Sequence, residues 1–192
     1  IFLTCLFLLI VGCILLRFSK FSGRQKETHQ INAACEAYRD EVSSEAAQYD
    51  MSDYVDLILA VMMQESSGQG TDPMQSSEGA YNTRYPQQPN GITDPSYSIS
   101  CGIQELKYAL DKAGCTGPTD LSKIRLALQA YNFGADSYFA YLEENGQTVW
   151  TAQSAQAFAQ MASGGTQRDE DDPLHDPAGP WDYGDQYYPD HV

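Results

Sequence analysis

A glutamate ends a hydrophobic helical run, and an aspartate follows it seven residues later, a pairing that could support acid–base chemistry. The segment VMMQESSGQGTD places Glu65 after aliphatic side chains and Asp72 beyond two glycines. On a helical period of 3.6 residues, Glu65 shares a face with Val61 and Met62, the core side of the helix. Burial and the negative end of the helix dipole both disfavour a carboxylate, so we expect a raised pKa for Glu65. The spacing alone also allows a helix-end glutamate that turns outward to solvent.

Hydrophobic periodicity identifies the segments that must hold these two carboxylates. No stretch alternates convincingly with a period of two, and apolar residues recur every three or four positions along most of the chain. The sequence therefore predicts an all-α or nearly all-α fold. Asp94 and Pro95 supply an N-cap and a first-turn proline for the third predicted helix, which Gly114 ends. The predicted helical segments cover residues 31–49, 52–65, 95–113, 121–131, 138–142 and 152–162.

A polar loop, residues 66–94, follows Glu65 directly. It is rich in Gly, Pro, Asn and Ser and shows no hydrophobic period. A loop of this length in a compact domain is usually either functional or disordered. We expect it to form a wall of the substrate cleft.

The first 16 residues, IFLTCLFLLIVGCILL, carry no charge and are almost wholly apolar. Their length is near the lower limit for a membrane-spanning helix. We therefore expect a transmembrane anchor over residues 1–18 and a basic linker over residues 19–30. Lipid attachment at Cys13 is the alternative, because IVGC resembles a lipoprotein cleavage site, but the apolar run continues beyond it. The Lys and Arg residues of the linker would by themselves favour a cytoplasmic location for the domain on their C-terminal side.

The predicted globular domain, residues 31–165, is followed by an acidic segment, residues 166–192. This segment contains eight acidic residues and four prolines, a composition typical of disorder. Its aromatic side chains, Trp181 and three tyrosines, would be costly to leave in water. We therefore expect part of it to pack back on the domain.

Composition excludes several classes of function. The formal net charge is −15, and all 26 acidic residues follow residue 26 together with only seven basic ones. Such a chain has no electrostatic footprint for nucleic acid. The histidines, His29, His175 and His191, are scattered, which suggests neither a zinc site nor a Ser–His pair. We expect no metal, no cofactor and no nucleic-acid partner.

Three motifs in order, QESSGQGTDPMQSSE, GITDPSYSISCGI and LQAYNFG, resemble those of the lysozyme-like glycosidases. This family includes goose-type lysozymes and soluble lytic transglycosylases. The chain is most similar to the membrane-anchored cell-wall lysozymes of conjugative elements and Gram-positive bacteria, and the resemblance extends over residues 35–165. The transglycosylases have Gly-Leu-Met-Gln and Ala-Tyr-Asn-Ala-Gly where this chain has Asp-Pro-Met-Gln and Ala-Tyr-Asn-Phe-Gly. Both departures point to the conjugative-element branch.

The resemblance implies a helical lysozyme-like domain that cleaves the MurNAc–GlcNAc β-1,4 bond of peptidoglycan. It places Glu65 on the catalytic acid and Gln75 on a glutamine that faces the sugar cleft. It places Tyr131 and Asn132 on a Tyr-Asn pair that lies close to this acid. A carboxyl group that stays protonated near neutral pH is what a general acid for a glycosidic bond requires.

The role of Asp72 would decide the mechanism. As a base, Asp72 would activate water on the opposite face of the sugar and give hydrolysis, with Glu78 as a further candidate for this role. If Asp72 is instead an Asx-turn residue before Pro73, the 6-hydroxyl of MurNAc can attack and leave an anhydro-sugar, as in a lytic transglycosylase. The polar side chains of Ser76 and Ser77 are expected to hydrogen-bond sugar hydroxyls or acetamido groups.

These residues support two classes of function. The first is a single-pass protein of the cell membrane with an extracellular muramidase domain, which acts on peptidoglycan and serves a secretion or conjugation machinery. The second is a non-catalytic peptidoglycan-binding subunit on the same fold. Glu65 on its apolar face, with the glutamine and the Tyr-Asn pair, favours the enzyme.

Overall fold

A computed structural model describes residues 30–172 and 175–192 of the chain. The expected transmembrane anchor, residues 1–18, lies outside the described residues, as does the basic linker except for its last residue. Within the described ranges, no helix is both long and apolar enough to cross a membrane. The same ranges contain no β-strand, only an isolated bridge between Gln167 and Trp181. The predicted helical fold is confirmed for this part of the chain.

The described residues form eight α-helices and one short 3-10 helix, Ser52–Tyr54. In chain order, the α-helices are α1 Ala33–Glu36, α2 Arg39–Gln48, α3 Val55–Ser66, α4 Pro95–Ala113, α5 Leu121–Phe133, α6 Ala135–Glu144, α7 Ala152–Ala162 and α8 Tyr188–His191. The apolar stripe over residues 31–49 is thus divided between α1 and α2.

Helix α4 begins and ends where its capping residues predict. The Asp94 carboxylate accepts hydrogen bonds from the backbone N–H groups of Ser96 and Tyr97, which have no partner inside the helix. Gly114 ends the helix with a left-handed φ of 72°. The predicted helix over residues 95–113 is confirmed. Its apolar face is buried, and α4 forms the main helix pair of the domain with α5.

The turn after α3 directs the chain from the core into the long loop. Ile58 and Met62 are fully buried on the inner face of α3. The helix ends at Ser66, its C-cap residue Ser67 has a left-handed φ of 55°, and Gly68 comes next with a φ of 73°. A Cβ at position 68 would lie 2.8 Å from the backbone nitrogen of Cys35, so only glycine fits against α1.

The acidic segment after residue 165 packs along α5. The side-chain amide of Gln129 donates to the backbone oxygen of Asp185 at 2.7 Å, and Arg125 pairs with Asp190 at 2.7 Å. Tyr188 is 1% exposed and belongs to the hydrophobic core. Tyr188 lies in the same core as α3, and Tyr183 packs against it.

Candidate active site

Glu65 lies in the last turn of α3, where the apolar face of the helix meets α8. The Tyr188 hydroxyl donates a hydrogen bond of 2.5 Å to Glu65 Oε1. Glu65 keeps some exposed surface, but its carboxyl is largely buried. This burial is the largest cause of the change in its pKa, which is raised to about 7. The Tyr188 hydrogen bond lowers this pKa, whereas the charges of Asp185, Asp72 and Glu105 raise it. The direction agrees with the expectation from helical spacing.

Tyr188→Phe is expected to raise the pKa of the Glu65 carboxyl further, because the hydroxyl donates to the ionised form. A single hydrogen bond is worth about 0.5–1.5 kcal/mol, so the increase should be about one pH unit or less. The measurement is an NMR titration of the Glu65 side-chain carbonyl carbon. Tyr187→Phe is the matched control, because the Tyr187 hydroxyl bonds Gln156 and Ala178 instead. A Glu65 pKa that falls, or that responds equally to both variants, would contradict the assigned contact.

Asp72 lies at the base of the long loop, 1% exposed, with all its side-chain contacts inside the protein. Its Oδ1 accepts from the Ser98 hydroxyl at 2.6 Å and the Ser76 N–H at 3.1 Å. Its Oδ2 accepts from the Ser77 N–H at 3.2 Å and from the Ser77 hydroxyl. Four donors thus converge on one carboxylate, which ties the loop to the first turn of α4.

The hydroxyl groups of Ser76 and Ser77 also form hydrogen bonds inside the protein. The Ser76 hydroxyl donates to the backbone oxygen of Ser98 at 2.9 Å, and the Ser77 hydroxyl accepts from the Ile92 N–H at 2.8 Å. Both residues are 1% exposed. Their hydrogen bonds therefore hold the two ends of the loop together.

Gln75 differs from the two serines after it, because its side chain is exposed. Its Nε2 donates to the backbone oxygen of Asp72 and to Asn90 Oδ1, both at 2.9 Å. Gln75 also has a left-handed φ of 48°, an uncommon conformation for a residue other than glycine. The glutamine is held at the rim of the loop, where a ligand could reach it.

Tyr131 and Asn132, in the last turn of α5, hold two different segments. The Tyr131 hydroxyl donates to the backbone oxygen of Met74 at 2.8 Å, while Asn132 Oδ1 accepts from the Asp185 N–H at 2.7 Å. Burial raises the pKa of Tyr131, and the nearby charge of Glu65 adds to the increase. Tyr131 therefore connects the loop to the neighbourhood of Glu65.

A cavity of about 210 Å³ lies between this tyrosine and the loop. Glu78, Tyr81, Glu105, Tyr108 and Tyr131 contribute side chains to its wall. Glu78, the further candidate for a base, is exposed here. Small-ligand sites usually have walls of aromatic and apolar side chains with a few polar groups, and this cavity has the same kind of lining.

Glu105 is a carboxyl in this cavity that sequence analysis missed. Burial raises its pKa to about 7, the backbone amides of Tyr81 and Ala80 oppose the increase, and the charge of Asp72 adds to it. Its Oε1 is buried and has no hydrogen-bond partner among the described residues. A Cβ at Gly79 would lie 1.4 Å from this oxygen, so a larger residue at position 79 would require the Glu105 carboxyl to move. The spacing of apolar residues does not predict that this glycine lies so close to α4.

Comparison with known proteins identifies the family of the chain. The family model described as Lysozyme-like matches residues 33–192. The bifunctional muramidase/DL-endopeptidase CwlT of Bacillus subtilis (strain 168) is 39% identical over 120 residues, which cover 62% of this chain and 32% of that protein. The uncharacterized membrane protein YocA of the same strain is 40% identical over 111 residues, which cover 58% of this chain and 45% of that protein. The chain thus spans less than half the length of these two relatives.

A solved structure agrees with the match. It is that of a protein described as similar to a lipoprotein of the NLP/P60 family, from Staphylococcus aureus subsp. aureus Mu50. It superposes with a TM-score of 0.68 at 29% identity, over 83% of this chain and 51% of that one. With the family match extending over most of its length, the chain belongs to the lysozyme-like family.

Proposed function

We propose that the protein is an N-acetylmuramidase that cleaves the MurNAc–GlcNAc β-1,4 bond of peptidoglycan, with Glu65 as the general acid. The observation that carries the proposal is the Glu65 carboxyl, set deep at the end of an apolar helix and fixed by the Tyr188 hydroxyl. A carboxyl in apolar surroundings keeps its proton near neutral pH, as the acid of a glycosidase must. The similarity to CwlT, which is named a muramidase, supports the same reaction class.

The proposed reaction begins with protonated Glu65 beside the glycosidic oxygen. Glu65 transfers its proton to this oxygen while the bond from the oxygen to C1 of MurNAc breaks, and the bonding electron pair stays with the leaving sugar. Glu65 is then a carboxylate that can accept a proton from the attacking hydroxyl group. Attack by water gives a reducing end, whereas attack by the 6-hydroxyl of the same MurNAc gives a 1,6-anhydro end.

Asp72 remains the sequence-based candidate for a separate base, but its contacts support another role. A base must reach the attacking water in the cleft, and both Asp72 oxygens are already bonded to loop and α4 donors. We infer that Asp72 acts as a positioning residue, and that Ser76 and Ser77 have the same role. Among the predicted binding residues, exposed Gln75 and cavity-lining Tyr131 are then best placed to contact a sugar.

The proposed cellular setting rests on the N-terminal sequence. The expected anchor over residues 1–18 would hold an extracellular domain at the cell membrane, near the wall it cleaves. The relative YocA is named a membrane protein, which supports such a setting. A tethered glycosidase opens the wall only near the bilayer, which suits a secretion or conjugation machinery that must pass through it.

The test of this function is a digest of purified cell wall followed by mass spectrometry of the released muropeptides. We expect new MurNAc ends, since the proposed bond lies in the glycan strand. Hydrolysis adds one water to each new end and transglycosylation does not, so the masses also identify the attacking group. A digest that releases peptides from intact glycan strands, or that releases nothing, would contradict the proposed bond.

A further inference from the structure

Arg84 is a cation of the long loop that has no carboxylate partner among the described residues. Five of the seven described Lys and Arg side chains form ion pairs with Asp or Glu, namely Arg39, Lys107, Lys112, Arg125 and Arg168. Lys123 donates to the backbone oxygen of Thr148 at 3.0 Å. Arg84 is exposed, and its guanidinium instead lies 4.6 Å from the centre of the Tyr97 ring. In so acidic a chain, an arginine without an acidic partner is notable.

The Tyr97 ring beside this guanidinium is itself held in place. The Tyr97 hydroxyl donates to the backbone oxygen of Tyr81 at 3.1 Å and accepts from the Thr83 N–H at 3.0 Å. The Tyr85 ring packs against the same tyrosine, with ring centres 5.6 Å apart. A guanidinium over an aromatic ring keeps its edge N–H groups free to donate. Arg84 therefore presents a set of donors that needs little ordering before it binds an anion.

Two acidic residues that line the same groove as Arg84 form hydrogen bonds with other partners. Arg84 borders a groove of about 590 Å³, together with Glu45 and Asp94. The Asp94 carboxylate caps α4, and Glu45 accepts from the Gln48 side chain at 2.6 Å. Neither forms an ion pair with Arg84, so the guanidinium donors remain available to a ligand in the groove.

This groove adjoins the cavity beside Tyr131. Ala80 and Tyr81 line both openings, so one stretch of the loop borders the two. A polymer that occupies the cavity can thus place a substituent in the groove. The glycan strand of peptidoglycan carries such substituents, because each MurNAc bears a peptide stem with free carboxylates.

We propose that Arg84 is a specificity-determining residue that binds a carboxylate of the peptide stem, so that the enzyme favours peptide-bearing glycan strands over bare ones. The inference rests on the proposed glycan cleavage. A planar guanidinium matches a carboxylate with two parallel hydrogen bonds, which gives geometric selectivity as well as charge. Phosphate groups of other wall polymers have similar chemistry, and the experiment separates the two anions.

The experiment compares two glycan preparations of equal chain length, both freed of phosphate-containing polymers. One keeps its peptide stems, and the other has lost them to an amidase, which hydrolyses the amide between the MurNAc lactyl group and the peptide and leaves a carboxylate on each lactyl group. The comparison therefore asks whether Arg84 distinguishes a stem carboxylate from a lactyl carboxylate held close to the sugar ring. We expect wild-type kcat/KM to be about tenfold higher on the peptide-bearing strands, which is the effect of one charge-assisted contact. Arg84→Gln should abolish this preference, mainly through KM, and leave the rate on bare strands within about twofold of wild type.

Two further variants complete the experiment. Arg84→Lys keeps the positive charge but lacks the planar guanidinium with its two parallel donors. It should therefore keep only part of the preference for peptide-bearing strands. Lys123→Gln removes the other one of the seven described Lys and Arg side chains that forms no ion pair, and it should keep all of the preference. Equal losses on both substrates in Arg84→Gln, or a preference that survives this change, would overturn the inference. A third preparation keeps its phosphate polymers, and an effect of Arg84 seen only on that preparation would also overturn the inference.

The two proposals fail in different ways. Wild-type protein that cleaves neither preparation would remove the proposed function, and this inference with it. Cleavage of both preparations at equal rates would leave the glycosidase intact and remove only the role of Arg84.

Discussion

Glu65→Gln is expected to lower the rate of glycan cleavage by at least about 10³-fold, the upper range of what a positioned general acid contributes. Glutamine has nearly the same shape and can still accept the Tyr188 hydrogen bond, but it has no proton to transfer. The measurement is the muropeptide digest with purified variant and wild type. Glu144→Gln, an exposed change at the end of α6, is the matched control and should cleave at the wild-type rate. Activity of Glu65→Gln within about tenfold of wild type would exclude Glu65 as the acid.

The Glu65→Gln variant should be more stable than wild type at pH 8. This stability measurement distinguishes a loss of catalysis from a loss of folding. The pKa of Glu65 is raised from 4.5 to about 7, so between these values the unfolded chain ionises while the folded protein keeps its proton. The folded state therefore loses stability as pH rises through this window, and glutamine avoids the loss. Partial exposure reduces the effect to about 1–2 kcal/mol. Thermal unfolding should show the gain at pH 8 and none at pH 4.

Asp72→Asn is expected to lower turnover by about 10²-fold or more and to destabilise the fold as well. An asparagine can accept hydrogen bonds on one oxygen only, and its NH₂ group would face the donors that now meet Asp72 Oδ2. An unsatisfied buried donor costs about 1–3 kcal/mol, so the loop should loosen where it joins α4. The measurements are kcat on peptidoglycan, the melting temperature, and hydrogen exchange of the loop amides.

A positioning role and a base role for Asp72 give different results. If Asp72 only positions the loop, the loss of activity comes with faster amide exchange over residues 76–77, and small added carboxylates such as formate do not restore the rate. If Asp72 is the base, the loop stays protected and formate restores part of the rate, since a small anion can replace a missing proton acceptor. Asp120→Asn, which changes the N-cap of α5 and whose carboxylate bonds Thr116 and Lys123 and not this network, is the control for a general loss of stability.

Local signals in the sequence predict much of the helical framework. The bounds of α4 can be read from Asp94, Pro95 and Gly114, because capping depends on neighbouring residues only. The division of the first predicted helix at Ala37 and Tyr38 has no such local signal, since neither residue is a helix breaker. Apolar spacing thus predicts which faces are buried better than it predicts where a helix is interrupted.

The candidate site is only partly predictable, because its contacts join distant parts of the chain. Glu65 could be found from its face on α3, but its partner Tyr188 lies 123 residues away in a segment with the composition of a disordered tail. Glu105 lies off the apolar face of α4, so periodicity predicts a solvent position, whereas the loop at Gly79 covers it. The serines beside Gln75 look like sugar ligands in the sequence, and only the folded loop shows that their hydroxyls face inward.

The pH dependence of kcat/KM tests the central claim most directly, because it reports the protonation state in which free enzyme reacts. If protonated Glu65 is the acid, activity should fall on the alkaline side with an apparent pKa near 7, the value to which burial raises this carboxyl. In Tyr188→Phe the alkaline limb should move to higher pH, since the lost hydrogen bond stabilises the carboxylate. An alkaline limb near 4.5, the ordinary value for a glutamate, or one that Tyr188→Phe leaves in place, would contradict the assignment of Glu65.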